Sequence, residues 1–127
     1  METDIKLSKQ EFQRALNGFT GTGHYHRHII PGGQVLLLTD GCNFVREYAG
    51  QGASWLFDLI LSYQFKLRKH RFQVWTLQKQ QDHSWILECS DGDRNYIIGQ
   101  EIAYSDFPLE KFDIWVVDSV ALLPSEY

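Results

Sequence analysis

His24, His26 and His28 alternate with Tyr25 and Arg27. On a β-strand, alternate side chains leave the same face, so three such imidazoles would stand in steps of about 7 Å. Neutral imidazole ligates zinc, copper, nickel and iron, and a His-x-His pair on a strand supplies two of three ligands. An Asp or Glu from elsewhere in the chain would complete the set. This gives a metal-assisted, hydrolytic reading, with a divalent transition metal as the only cofactor implied. The competing reading is plain polar surface beside Gly and Pro turns.

Other arrangements fall short of a chemical signature. Asp91-Gly92-Asp93-Arg94-Asn95 begins like a calcium loop. However, Tyr96 stands where a Gly is needed and Ile102 where a bidentate Glu is needed, so a turn accounts for it. Gly50-Gln51-Gly52-Ala53-Ser54 follows a strand and opens a helix, the setting in which free amides cradle a phosphate. Trp55 replaces the third Gly and no Lys-Ser/Thr pair follows, so a flexible entry into a packed helix is the better account. No Gly-x-Ser-x-Gly elbow is present. Asp58 is a lone acid in an apolar helix, on its polar flank with Ser62 and Lys69 and in a position that suits the helix dipole.

Lys66, Arg68, Lys69, His70 and Arg71 form the only basic cluster. Residues 1–80 hold ten Lys/Arg against six Asp/Glu, a balance of +4, whereas 81–127 hold two against ten, −8, for a net −4. An acidic chain with an acidic final third argues against broad nucleic-acid binding, because phosphates select a basic face. Local contact through Lys66, Arg68, Lys69 and Arg71 ranks third among the readings, behind a solvated helix end.

The elements that would position these residues follow from pattern. Ser8-Lys9-Gln10-Glu11 fits a capping box, with Leu7 set to staple onto Phe12, and predicts a helix over about 8–17. Phe19–Ile30 and Gln34–Thr39 read as strands around the Pro31-Gly32-Gly33 turn. Asp40-Gly41 signals a tight hairpin into a third strand, Cys42–Tyr48. Ser54 is placed to cap a second helix running to about Lys69. On it, Leu56, Leu59, Ile60, Tyr63 and Leu67 make a broad apolar face, while Phe57, Leu61 and Phe65 make a narrower stripe on the far side. Such a helix is either sandwiched inside the fold or offers its second stripe to a partner.

Four further strands follow: Phe72–Gln80, Ser84–Cys89, Tyr96–Tyr104 and Phe112–Asp118, with Val120–Leu123 extending a last hairpin. Trp85, Leu87 and Cys89 share one face, as do Tyr96, Ile98, Ile102 and Tyr104, which assigns Trp85, Tyr96 and Tyr104 to a sheet core. The expected class is α+β, with two helices on a mainly antiparallel sheet of six or seven strands, in the order α-β-β-β-α-β-β-β-β. Asp106-Phe107-Pro108 reads as a turn. Leu123-Pro124-Ser125-Glu126-Tyr127 reads as an anchored terminus, with Glu126 bonded inside the fold as one specific form of anchor.

Composition sets the frame. A chain of 127 residues with 43% hydrophobic, 22% charged and 14% aromatic residues matches one globular domain spanning 1–127. Met1–Leu7 carries Glu2 and Asp4 without an apolar run, unlike a secretory signal or transit peptide. No run approaches the roughly 18 apolar residues of a membrane span. Cys42 and Cys89 lack a Cys-x-x-Cys spacing and sit in apolar segments, so they read as reduced core thiols in a cytoplasm.

Several landmarks recur in order: Phe19-Thr20-Gly21-Thr22, Leu38-Thr39-Asp40-Gly41, Trp55-Leu56-Phe57-Asp58, Phe72-Gln73-Val74-Trp75, Asp106-Phe107-Pro108 and Leu123-Pro124-Ser125-Glu126-Tyr127. In these the chain resembles a family of small uncharacterised bacterial proteins, a domain of unknown function seen in cyanobacteria and on mobile elements. Gly50-Gln51-Gly52 and the run Gly23–His28 depart from the family pattern. The resemblance implies a cytoplasmic, single-domain protein and carries no activity. The lack of a catalytic motif, the Phe57-Leu61-Phe65 stripe and the uneven charge give the leading expectation, a noncatalytic interaction or accessory protein, with homodimerisation through Phe57, Leu61 and Phe65 as its simplest form.

Overall fold

A computed structural model of the chain describes residues 7–127. The expectation of no leader rests mainly on residues 1–6, which lie outside the described residues. The elements run α1 (Lys9–Leu16), β1 (His26–Ile29), β2 (Val35–Leu38), α2 (Asp40–Tyr48), α3 (Ser54–Ser62), β3 (Phe72–Lys79), β4 (Trp85–Ser90), β5 (Tyr96–Ile102), β6 (Lys111–Val117) and β7 (Val120–Leu122), then a 3-10 turn, Pro124–Glu126. The seven strands form one sheet in the order β1-β2-β7-β6-β3-β4-β5. Among the described residues, only β2 and β7 pair in parallel. The expected α+β class holds, with three α-helices among the described residues instead of two.

The extra helix is α2, where the sequence predicts a hairpin at Asp40-Gly41 and a strand over Cys42–Tyr48. Neither Asp40 nor Gly41 takes the positive φ that a tight hairpin of this type needs. Instead Thr39 caps a helix, its hydroxyl accepting from the Cys42 amide, and Cys42, Val45 and Ala49 bury at helical spacing. The two-residue turn with positive φ lies at Asp118-Ser119, between β6 and β7.

The capping box of α1 forms as expected, with Ser8 and Glu11 satisfying each other's backbone hydrogens. In contrast, α3 starts after Ala53, without a side-chain cap from Ser54, and ends at Ser62 instead of near Lys69. The Ser62 hydroxyl donates to the Leu59 carbonyl and the Gln64 amide to the Ile60 carbonyl, so side chains take over the last carbonyls and the chain turns away. Leu56, Phe57, Ile60 and Leu61 are all buried. The helix is sandwiched: the Phe57 ring lies 6.0 Å from the His28 imidazole of β1.

The buried helix residues join the inward alternate residues of the strands, among them Trp75, Leu77, Trp85, Leu87, Ile114 and Val116, in one core. Tyr96 and Tyr104, expected in that core, are 64% and 79% exposed. A register shift pairs Cys89 with Ile98 but Ser90 with Tyr96, leaving Ile97 as an extra residue and turning Tyr96 outward. β5 then ends at Ile102, short of Tyr104. Tyr127 packs edge-on to Trp115 and Phe72, which anchors the terminus.

Candidate functional site

The three histidines do not converge. His24 precedes β1 and is exposed, its carbonyl accepting from the Thr22 hydroxyl. His26 Nε2 lies 2.8 Å from Asp40 Oδ1. The Gly23 amide donates to Asp40 Oδ2, and the Asp40 amide donates to Thr22 Oγ1. The His26 hydrogen bond, followed by the Gly23 amide, holds the Asp40 carboxyl down at about 2.

His28, 6% exposed, bonds a different carboxylate: its Nε2 lies 2.7 Å from Asp58 Oδ1 of α3. Its Nδ1 faces Arg46 Nη1 at 3.1 Å. A guanidinium only donates, so Nδ1 carries the lone pair and the ring hydrogen sits on Nε2. The Arg46 fork also reaches the Arg27 carbonyl and Asn43 Oδ1. His26 and His28 therefore each have a carboxylate of their own. Among the described residues, no group of three or more His, Cys, Asp or Glu side chains is placed to hold a metal ion. The two pairs tie β1 to the first turn of α2 and to α3.

Three more carboxylates are held by the chain's own donors. Glu126 accepts from the Thr39 hydroxyl at 2.6 Å, the Gly41 amide at 3.0 Å and the Leu123 amide at 2.9 Å. It thus sits at the N-terminus of α2, where free amides favour an anion. A Cβ at Gly41 would lie 2.6 Å from both Glu126 Oε1 and Leu123 Cδ1, so glycine is there for space. Asp106 Oδ2 accepts from the Gln51 amide at 2.8 Å, beside Gly50. The phosphate-like loop is filled by the chain's own carboxylate. Likewise, Asp91 accepts from the Asp93 and Asn95 amides and the Asn95 side chain, closing a turn.

The apolar stripe is split. Phe57 and Leu61 are buried in the core, which corrects their reading as an interface, while Phe65 falls beyond α3 and is 67% exposed. Lys66, Arg68, Lys69, His70 and Arg71 are exposed on the same connection to β3, in turns instead of at a helix end. Arg71 pairs with Asp118 at 2.7 Å, which lowers that carboxyl and raises the guanidinium. The two thiols are free and buried. Burial pushes Cys42 far above the ordinary thiol range, helped by the Glu126 carboxylate, and pushes Cys89 up to about 12.

The two edges of the sheet differ. β1 has four residues, and its Arg27 carbonyl is taken by Arg46. β5 has seven residues, YIIGQEI, with Glu101 as its only charge and no Lys, Arg or Pro. Among the described residues, its outer side has no strand neighbour. The Tyr96 hydroxyl lies over Gly99, 3.3 Å from where a Cβ would stand.

Pairings such as His28–Asp58 and Gly41–Glu126 join residues 30 and 85 positions apart, beyond the reach of local pattern. The signals present were Asp58 in an apolar helix and Glu126 in a hydrophobic terminus.

The architecture is that of a small α+β protein, one sheet with helices on one face. More specifically, the chain belongs to a family of unknown function, DUF6876, whose model matches residues 10–127. No curated protein and no solved structure matches the chain. Among the described residues, no helix is long and apolar enough to cross a membrane.

Proposed function

We propose that this chain is a noncatalytic interaction or accessory protein that self-associates through its β5 edge. The observation that carries this reading is the contrast between the two edges. Exposed strand edges template further pairing, and proteins guard them with short strands, charges or capping groups. β1 is short and capped by Arg46, whereas β5 presents a longer, nearly uncharged edge. Ile98 and Ile102 are only partly buried against the core, so a neighbouring strand would cover them further.

The occupant is a second copy. A two-fold antiparallel pairing satisfies both open edges at once and closes the assembly. A register centred on Gly99 keeps the Glu101 carboxylates of the two copies from facing each other. The buried free thiols suit a reducing compartment and support a cytoplasmic setting.

Light scattering on the full chain tests this. The wild type is expected at twice the chain mass, and the double variant Tyr96→Lys/Glu101→Lys, with unchanged circular dichroism, at the single mass. A wild type that remains at the single mass at high concentration overturns the reading.

A further inference from the structure

We propose that the exposed turn Phe65–Arg71 is a contact site for single-stranded nucleic acid. This stretch carries four Lys/Arg and one His in seven residues, around an aromatic side chain that is 67% exposed. The Arg68 guanidinium stands 4.6 Å from the Phe65 ring centroid, and its Nη1 donates to the Phe65 carbonyl at 2.8 Å. The guanidinium covers one face of the ring, so an unpaired base would stack on the other face while its phosphates meet the cations.

The turn is held ready from beneath. Leu67 is buried at 3% exposure and its amide bonds the Tyr63 and Gln64 carbonyls. Gln73, 2% exposed, exchanges side-chain hydrogen bonds with Gln64 and also donates to the His70 carbonyl. Trp75 Nε1 in turn donates to Gln73. This buried network fixes the backbone at both ends of the turn, so presenting Phe65 and the cations costs little further ordering. Among the described residues, Arg71 alone of these cations has a carboxylate partner, Asp118.

Single strands fit better than duplex. A duplex is read by a helix or ribbon that enters a groove, and this segment is a compact turn with one projecting ring. The net charge of −4 disfavours broad binding over the surface as a whole. The site lies on the α3–β3 connection, so its outcome is independent of the β5 edge.

Fluorescence anisotropy with labelled oligothymidylate tests the proposal. Neutralising about three or four phosphates predicts a log–log salt slope of roughly −2 to −3. Phe65→Ala is expected to weaken binding about tenfold with the slope unchanged, since it removes stacking but no charge. Arg68→Ala/Lys69→Ala is expected to weaken binding and flatten the slope. Absence of binding at low salt overturns the proposal. So does binding that Phe65→Ala leaves intact, or equal binding of duplex DNA or polyglutamate, which would mark a general polyanion contact.

Discussion

The carboxylate of Glu126 accepts the backbone hydrogen of Gly41 at 3.0 Å, joining the chain's end to the first turn of α2 across 85 positions. A Cβ at Gly41 would meet both that carboxylate and Leu123. Gly41→Ala is therefore expected to cost about 1–3 kcal/mol by overpacking. Glu126→Ala leaves the Thr39 hydroxyl and two amides without their acceptor and should cost a similar amount. The double variant should cost less than the two losses added, because each removes the same joint. Urea unfolding of the four proteins measures the coupling.

His28 is held by Asp58 on one nitrogen and Arg46 on the other. His28→Ala removes packing against Phe57 and strands the Arg46 fork, with an expected loss of about 2–4 kcal/mol. Asp58→Asn keeps an acceptor at a side chain that is half exposed and should cost less than about 1 kcal/mol. Nitrogen-resolved NMR of the imidazole should show the hydrogen on Nε2. A ring hydrogen found on Nδ1 would contradict the Arg46 contact.

Asp40 gives the fold an acid limit. Its carboxyl is held at about 2 in the fold, chiefly by His26, against about 3.9 in an unfolded chain. A depressed carboxyl contributes stability that is fully present above the unfolded value and is lost as pH falls through the folded one. Unfolding midpoints should therefore drop between about pH 4 and pH 2, and Asp40→Asn should flatten that window. A variant with the same acid slope as the wild type would remove Asp40 as its cause.

Cys42 and Cys89 are buried, with burial raising both thiols. Maleimide should label neither in the native protein and both in denaturant, as mass spectrometry will read directly. Rapid native labelling at neutral pH would show that the core opens locally.

Local features of the fold were legible because their partners lie close in sequence. Ser8 and Glu11 announced the first cap, and alternation announced Trp85, Leu87 and Cys89. α2 was hidden because Asp-Gly is also hairpin chemistry, and what favours a helix there is the Thr39 cap together with Glu126 from the far terminus. Tyr96 was misplaced by one bulge, since a single extra residue inverts every face before it. The histidines were visible as a cluster, yet their carboxylates come from two different helices, so pattern alone read convergence where the fold divides them.

Residue-resolved amide exchange across β5 tests the central claim most directly. On an unpaired edge, alternate amides of Tyr96–Ile102 face water and exchange quickly. Pairing with a second copy predicts protection of both sets at high protein concentration, with the outward set becoming fast on dilution. Outward β5 amides that exchange fast at every concentration would contradict the account.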